Sequence, residues 1–246
     1  EMARAIFKSW FIDFDPVRYK AAGQQPPGLA SHIAGLFPDR LVDSELGQVP
    51  EGWTVDAFKS EYNLVMGQSP PGSTYNEQQQ GICFFQGRRD FGTRFPNRRV
   101  YCTAPTRFAN EGDTLVSVRA PVGDINLACE RCCIGRGVAA VRHKSGSRSY
   151  TYYSMLAKRD TLSQFEAEGT VFGSISKKGF ETLRVLCPPW TLIHCLEKIL
   201  FPLDERILIN HRQSVMLQDI RDTLLPKLIS GELRVPDAER IVERAL

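Results

Sequence analysis

The apolar positions of this chain change rhythm three times. From Glu1 to Phe14, the residues Ile6, Phe7, Trp10, Phe11 and Phe14 recur at helical spacing and predict a short amphipathic helix. Asp15-Pro16 is expected to close it, because a residue before proline is biased away from helical geometry. Between Lys20 and Ser44 the pattern dissolves into a polar stretch around Gln24, Gln25, Pro26, Pro27 and Gly28, which reads as a linker. From Trp53 to about Pro189, short β-rich runs alternate with Gly, Pro and Asn. Ile82 to Gln86, Thr114 to Val118 and Val138 to Arg142 are the clearest strands. Tyr150 to Phe165 predicts a helix that turns Tyr153, Leu156 and Leu162 inward.

Beyond Pro188-Pro189 the chain reads as helix almost to its end. Leu203, Ile207, Asn210, Ser214, Leu217, Arg221 and Leu224 alternate in steps of four and three, a heptad rhythm. This seam fits a helix packed on its own domain, or one member of an antiparallel pair in which Asn210 fixes register. Pro202 is expected to kink or break the helix at its start. The fold class expected is α+β: a mixed α and β globule followed by a long helix. The expected divisions are a helical piece over 1–19, a linker over 20–45, a globular domain over 46–189, a spacer helix over 190–235 and a tail over 236–246.

Composition narrows the class. No apolar run approaches the roughly 20 residues of a membrane span, and the first residues lack signal-peptide order, so a cytoplasmic protein without a membrane partner is expected. Seven cysteines in such a chain are expected to be reduced core thiols. The net charge of +3 is unremarkable, but its distribution is not. Residues 84–159 hold 14 Lys and Arg against 5 Asp and Glu, so the remainder of the chain is net acidic. Such clustering is the footprint of a polyanionic partner, and arginine dominates it.

The densest stretch runs from Gln86 to Arg99. There Arg88, Arg89, Arg94, Arg98 and Arg99 are candidates for guanine edges or phosphates, and Gln86 for adenine. Plain solvation is the bland alternative for any one of them. Arg119, where a strand runs into the turn Ala120-Pro121-Val122-Gly123, reads equally as a base reader or a structural ion-pair partner. Thr170, Ser174, Ser176, Lys177 and Lys178 precede a short helix and could hold phosphates, although the two lysines could also be ordinary surface residues.

Other chemistries fit poorly. Gly135-Arg136-Gly137-Val138-Ala139-Ala140 matches a dinucleotide-binding fingerprint in spelling, but strand follows it where a helix is required. Its glycines fit a tight bend between strands better. Cys129 and Cys132 form a C-x-x-C with no second pair of ligands, so no metal site is expected. No histidine stands at a recognisable spacing from a nucleophile. Ser69-Pro70-Pro71-Gly72 lacks both chemical ends of an adenine methyltransferase motif, and Pro38-Asp39 lacks a downstream acid-x-lysine for a nuclease. No phosphate-binding loop of the helicase type occurs.

Two segments carry a family resemblance. Phe7-Lys8-Ser9-Trp10-Phe11-Ile12-Asp13-Phe14-Asp15-Pro16-Val17 resembles the signature that closes the central conserved region of type I restriction-modification specificity subunits. Arg221-Asp222-Thr223-Leu224-Leu225-Pro226-Lys227-Leu228-Ile229-Ser230-Gly231-Glu232-Leu233 resembles their C-terminal signature. Pro50-Glu51-Gly52-Trp53 looks like the opening of a target recognition domain. Gly169-Thr170, Ile175-Ser176-Lys177-Lys178 and Pro188-Pro189 look like its close.

The resemblance implies a non-catalytic subunit that reads one half of a split target in double-stranded DNA. Its implied partners are methyltransferase subunits, a restriction and translocase subunit, and a second copy or the missing first half of the specificity subunit. S-adenosylmethionine, ATP and magnesium would belong to those partners, with no cofactor of the chain's own. Trp10, Phe11, Leu203, Ile207, Asn210, Leu217 and Leu224 would form the subunit interface. A natural half-subunit and a fragment of a longer protein both fit. The competing readings are the recognition piece of a single-chain restriction-methyltransferase enzyme, and a structural coiled-coil adaptor.

Overall fold

A computed structural model of the chain describes residues 1–166 and 173–245. Two compact units result, residues 1–201 and residues 202–246.

The first unit opens with α1 (Met2–Phe11), α2 (Asp15–Ala21) and the single turn α3 (Ser31–Ala34). Asp15-Pro16 does not end the first helix as expected. α1 stops at Phe11, and Pro16 occupies the first turn of α2, where its missing N–H costs no hydrogen bond. The stretch read as a linker is anchored. Phe37 is 2% exposed and meets Trp10 edge-on with centroids 5.4 Å apart, while Lys20 Nζ donates to the Phe37 carbonyl. A polar run conceals one aromatic residue, and that residue suffices to pin it.

The strands follow as β1 (Leu41–Ser44), β2 (Gly47–Pro50) and β3 (Thr54–Ala57), then the short helix α4 (Phe58–Glu61). Next come β4 (Tyr62–Met66), β5 (Tyr75–Asn76), β6 (Ile82–Phe85), β7 (Tyr101–Cys102) and β8 (Phe108–Ala109). β9 (Thr114–Ser117), β10 (Ile125–Leu127), β11 (Cys132–Ile134) and β12 (Val138–His143) complete the central strands. The helices α5 (Arg148–Ala157), α6 (Arg159–Ser163) and α7 (Lys177–Glu181) precede β13 (Arg184–Cys187) and α8 (Trp190–Ile229).

Two larger sheets form the centre. One has the order β10-β9-β12-β4, antiparallel throughout. The other is β5-β7-β6-β11-β8, in which only β6 and β11 run parallel. β9, β10 and β11 are buried along their whole length, with the polar Thr114, Ser117 and Asn126 buried among them. Two small pairs, β1-β2 and β13-β3, flank them.

α5 packs on β9, β10 and β12, and α1 packs on α5. Between them lies an aromatic cluster. Phe11 stands 5.2 Å from Tyr150 and 5.7 Å from Trp53, and Phe7 stands 6.2 Å from Tyr153. Trp10 and Phe11, expected at a subunit interface, are 5% and 4% exposed inside this cluster. They are core residues of their own domain, because the helical stripe they belong to faces α5.

The first turns of α8 are also core. Leu192, Ile193, Leu196 and Leu200 are completely buried. Between them Glu197 accepts the backbone N–H groups of Arg148, Ser149 and Tyr150 at 2.9, 3.1 and 3.2 Å. One carboxylate thus satisfies the free donors that open α5.

The second unit contains the rest of α8 and α9 (Val235–Ala245). Pro202 lies within α8 and does not terminate it. The helix ends instead at Ile229, before Gly231 with φ +76°, a left-handed position that suits glycine. The segment expected as a tail is helical. Of the heptad positions, Leu203, Ile207 and Leu217 are 37%, 40% and 47% exposed, and Asn210 is exposed as well. Leu224 departs from that seam: it is buried, as is Ala238 of α9.

Candidate nucleic-acid interface

Three of the five arginines between Gln86 and Arg99 face carboxylates. Arg88 and Arg159 share the carboxylate of Asp124. Arg98 pairs with Glu130 at 2.7 Å, and Arg99 lies 3.9 Å from Asp90. Asp90 is itself buried and accepts the Gln86 N–H at 2.7 Å, which shapes the turn after β6. Arg94 is half-buried. Its guanidinium lies 4.4 Å from the centroid of the Tyr152 ring and donates to the Tyr153 hydroxyl at 3.1 Å. Within this stretch Gln86 and Arg89 remain as exposed polar side chains that no carboxylate among the described residues engages.

A different place in the fold gathers cations that pair with no carboxylate among the described residues. The turn Gly135-Arg136-Gly137 joins β11 to β12, and three other segments are hydrogen-bonded around it. The Gly137 N–H donates to the Gln86 carbonyl at 3.0 Å, and the Val118 N–H donates to the Gly137 carbonyl at 2.9 Å. The Gln68 N–H donates to the Ile134 carbonyl at 3.0 Å, and the Arg136 N–H donates to Ser69 Oγ at 3.3 Å.

The antiparallel registers explain the grouping. β12 pairs Val138 with Ser117 on one side and Ala139 with Met66 on the other. Past the strand ends, the Val118 N–H bond to Gly137 and the Arg136 N–H bond to Ser69 Oγ bring the turn of Arg136 alongside Ser69 and the residue before Arg119. An isolated bridge between Arg119 and Ser174 extends the row by one more position. Arg119, Arg136 and Ser174 are exposed, and no carboxylate among the described residues pairs with either arginine.

Glycine makes this junction possible. A Cβ on Gly67 would lie 2.2 Å from the Gly135 carbonyl oxygen, and a Cβ on Gly137 would lie 2.3 Å from that of Gln86. The fingerprint-like spelling around Arg136 is therefore the close-packed bend between strands that its residues suggest, and it binds no dinucleotide through a helix start. Arg136 was hidden in the sequence by that spelling. The readable signal was its place between two glycines at the mouth of an apolar strand.

The remaining expected contacts are dispersed. Thr170 lies outside the described residues. Ser176 Oγ accepts the Gly179 N–H at 3.1 Å and so caps α7. Lys177 is 3.5 Å from Glu181 one turn along the same helix, and Lys178 is exposed. Burial pushes the Cys83 thiol up to about 12, with Glu130 adding to it, so that cysteine is a protonated core residue. Among the described residues, no cluster of His, Cys, Asp and Glu could hold a metal ion. No helix among them is long and apolar enough to cross a membrane.

No protein-family model matches the chain. Known proteins do. The chain is 33% identical over 205 residues to a Methanocaldococcus jannaschii protein named as the MjaX specificity subunit of a type I restriction enzyme; the match covers 82% of this chain and 48% of that one. It is 23% identical to the MjaIX specificity subunit of the same organism, over 96% of this chain and 53% of the relative. Among solved structures, the HsdS subunit from Thermoanaerobacter tengcongensis superposes with a TM-score of 0.56 at 33% identity, over 82% of this chain and 50% of that one. The type I S subunit from M. genitalium shares the fold at 17% identity, with a TM-score of 0.54 over 73% of this chain and 46% of that one. The chain spans about half the length of these relatives. Over most of its own length it is similar to specificity subunits of type I restriction enzymes, and the mixed sheets with a long C-terminal helix are the architecture they share.

Proposed function

We propose that this chain is a non-catalytic, DNA-reading half of a type I specificity subunit, with the globular unit docking on one half of a split target. The observation that supports it most is the row Ser69, Arg136, Arg119 and Ser174 at the end of a sheet. Arg119 and Arg136 flank the hydrogen bond between the Val118 N–H and the Gly137 carbonyl, and no carboxylate among the described residues pairs with either, so their charges add. A fold tolerates that arrangement when an anion supplies the missing charge. The phosphates of DNA supply that charge, and guanine edges offer paired acceptors to the same side chains.

The chemistry on the DNA belongs, in this proposal, to methyltransferase subunits that carry S-adenosylmethionine. A restriction and translocase subunit that uses ATP and magnesium completes the assembly. The exposed Leu203, Ile207 and Leu217 offer an apolar seam to the other half of the specificity subunit, supplied by a second copy or by a longer chain.

The test is a gel shift of the chain assembled with the methyltransferase subunits of its own locus, on random-sequence duplexes over a range of salt. The logarithm of the affinity should fall linearly with the logarithm of salt, by about 0.9 for each phosphate contacted. Affinity that is absent, or indifferent to salt, would end the DNA reading and leave the adaptor alternative.

A further inference from the structure

We infer that Arg136 determines base specificity, with Gln68 beside it, and that Arg88, Arg94, Arg98 and Arg99 of the charge-dense stretch support the fold without reading sequence. The inference rests on the DNA-reading function proposed above and deepens it to a particular side chain.

Base reading is helped by a side chain whose own backbone is fixed before the DNA arrives and whose surroundings let that backbone come close to base edges. Arg136 meets the first condition. Its own N–H bonds to Ser69 Oγ. The neighbouring Gly137 donates to Gln86 and accepts from Val118, and Gly135 donates to the Phe85 carbonyl at 2.8 Å. Three segments from separate strands thus clamp a three-residue turn. Its side chain is exposed, and no acid among the described residues engages it.

The second condition is met by the flanking glycines, which leave the turn without bulk on either side of the guanidinium. Arg88, Arg98 and Arg99 differ on these points, since each faces a carboxylate of its own domain. Gln68 is exposed next to Ser69, and its own N–H bonds to Ile134, so an amide that suits adenine stands one residue from the row.

The experiment uses the chain assembled with its methyltransferase subunits and a library of duplexes randomised over the target, read by which sequences become methylated. Arg136→Ala should lose preference at one or two base pairs by about 10- to 100-fold, the discrimination expected of one bidentate contact. Binding to random duplex should change far less. Arg136→Lys should restore charge but not the lost preference, because an ammonium lacks the planar fork. A thermal melt equal to that of the unaltered chain shows that both variants fold.

If Arg136→Ala methylates the same sequences with the same selectivity, the assignment is overturned. If it weakens binding to all sequences alike, Arg136 is a phosphate contact and the assignment is equally overturned. Neither outcome touches the DNA-reading function itself, which falls only if the unaltered complex shows no salt-dependent binding.

Discussion

Residues 86–99 and the strand-end row are both rich in arginine, yet they are opposite in character. In the first, Asp124, Glu130 and Asp90 stand against Arg88, Arg98 and Arg99, and two tyrosines receive Arg94. In the second, Arg119 and Arg136 flank the Val118–Gly137 hydrogen bond, and no acid among the described residues pairs with either. Charge density along the chain therefore says little about charge available to a partner. What decides availability is where the carboxylates fold to. Four of the five acids within residues 84–159, namely Asp90, Asp113, Asp124 and Glu130, face arginines.

The strongest way to break this comparison is the double substitution Arg119→Ala with Arg136→Ala. It should cost about 2–6 kcal/mol of DNA binding if each contact contributes about 1–3 kcal/mol, while stability holds or rises slightly as two like charges are removed. Competition binding and a thermal melt on the same samples would show it. Lost stability with intact binding would reverse the roles assigned to the two regions.

Next in size, Arg94→Ala should destabilise the globular unit by about 2 kcal/mol. A partly desolvated cation–π contact and one hydrogen bond to Tyr153 are lost together. The denaturant midpoint should drop, and the methylated target sequence should stay the same.

A control outside both regions is His143, 1% exposed at its side chain. It lies 3.1 Å from Glu61 and is ringed by Tyr62, Tyr150 and Trp190, with Ser145, Lys144 and His194 nearby. Burial lowers its affinity for a proton below the ordinary value of 6.5, against the pull of Glu61. The unfolded chain then takes up a proton that the folded ring declines. Stability is full above about pH 6.5 and falls as the pH drops below it, by at most about 1.4 kcal/mol per pH unit for one group. Denaturant titrations at pH 7 and pH 5.5 should differ in that direction, and His143→Gln should flatten the difference. A steeper decline in the variant would contradict it.

The smallest effect belongs to Arg98→Ala. Its pair with Glu130 is half exposed, so stability should move by less than about 1 kcal/mol and binding hardly at all. A large loss of affinity there would return the reading surface to the charge-dense stretch.

The sequence made the strong strands legible because β6, β9 and β12 are apolar runs bounded by turn residues. The core positions of α1 were equally plain in its helical stripe. Whether that stripe faced a partner or its own domain could not be read, because Tyr150 and Trp53 lie far along the chain from Phe11 and become its neighbours only through packing. The same limit hid the site. Arg136 and Arg119 are seventeen positions apart, and Ser69 and Ser174 are farther still. Only the strand pairing and the hydrogen bonds past the strand ends bring them together. Local spelling picked out Arg94, whose neighbours Tyr152 and Tyr153 it could not foresee.

The glycine junction beneath Arg136 carries a consequence for how such a protein can change. Gly67 and Gly137 are fixed, because any added side chain would strike a backbone oxygen at 2.2 or 2.3 Å. The exposed side chains of Gln68, Arg136 and Arg119 are under no comparable constraint. Variation can therefore accumulate at the rim while the frame below stays the same, and a new preference needs no new architecture. Under the proposed DNA reading, a designer wishing to retarget the protein would have these few positions to rewrite.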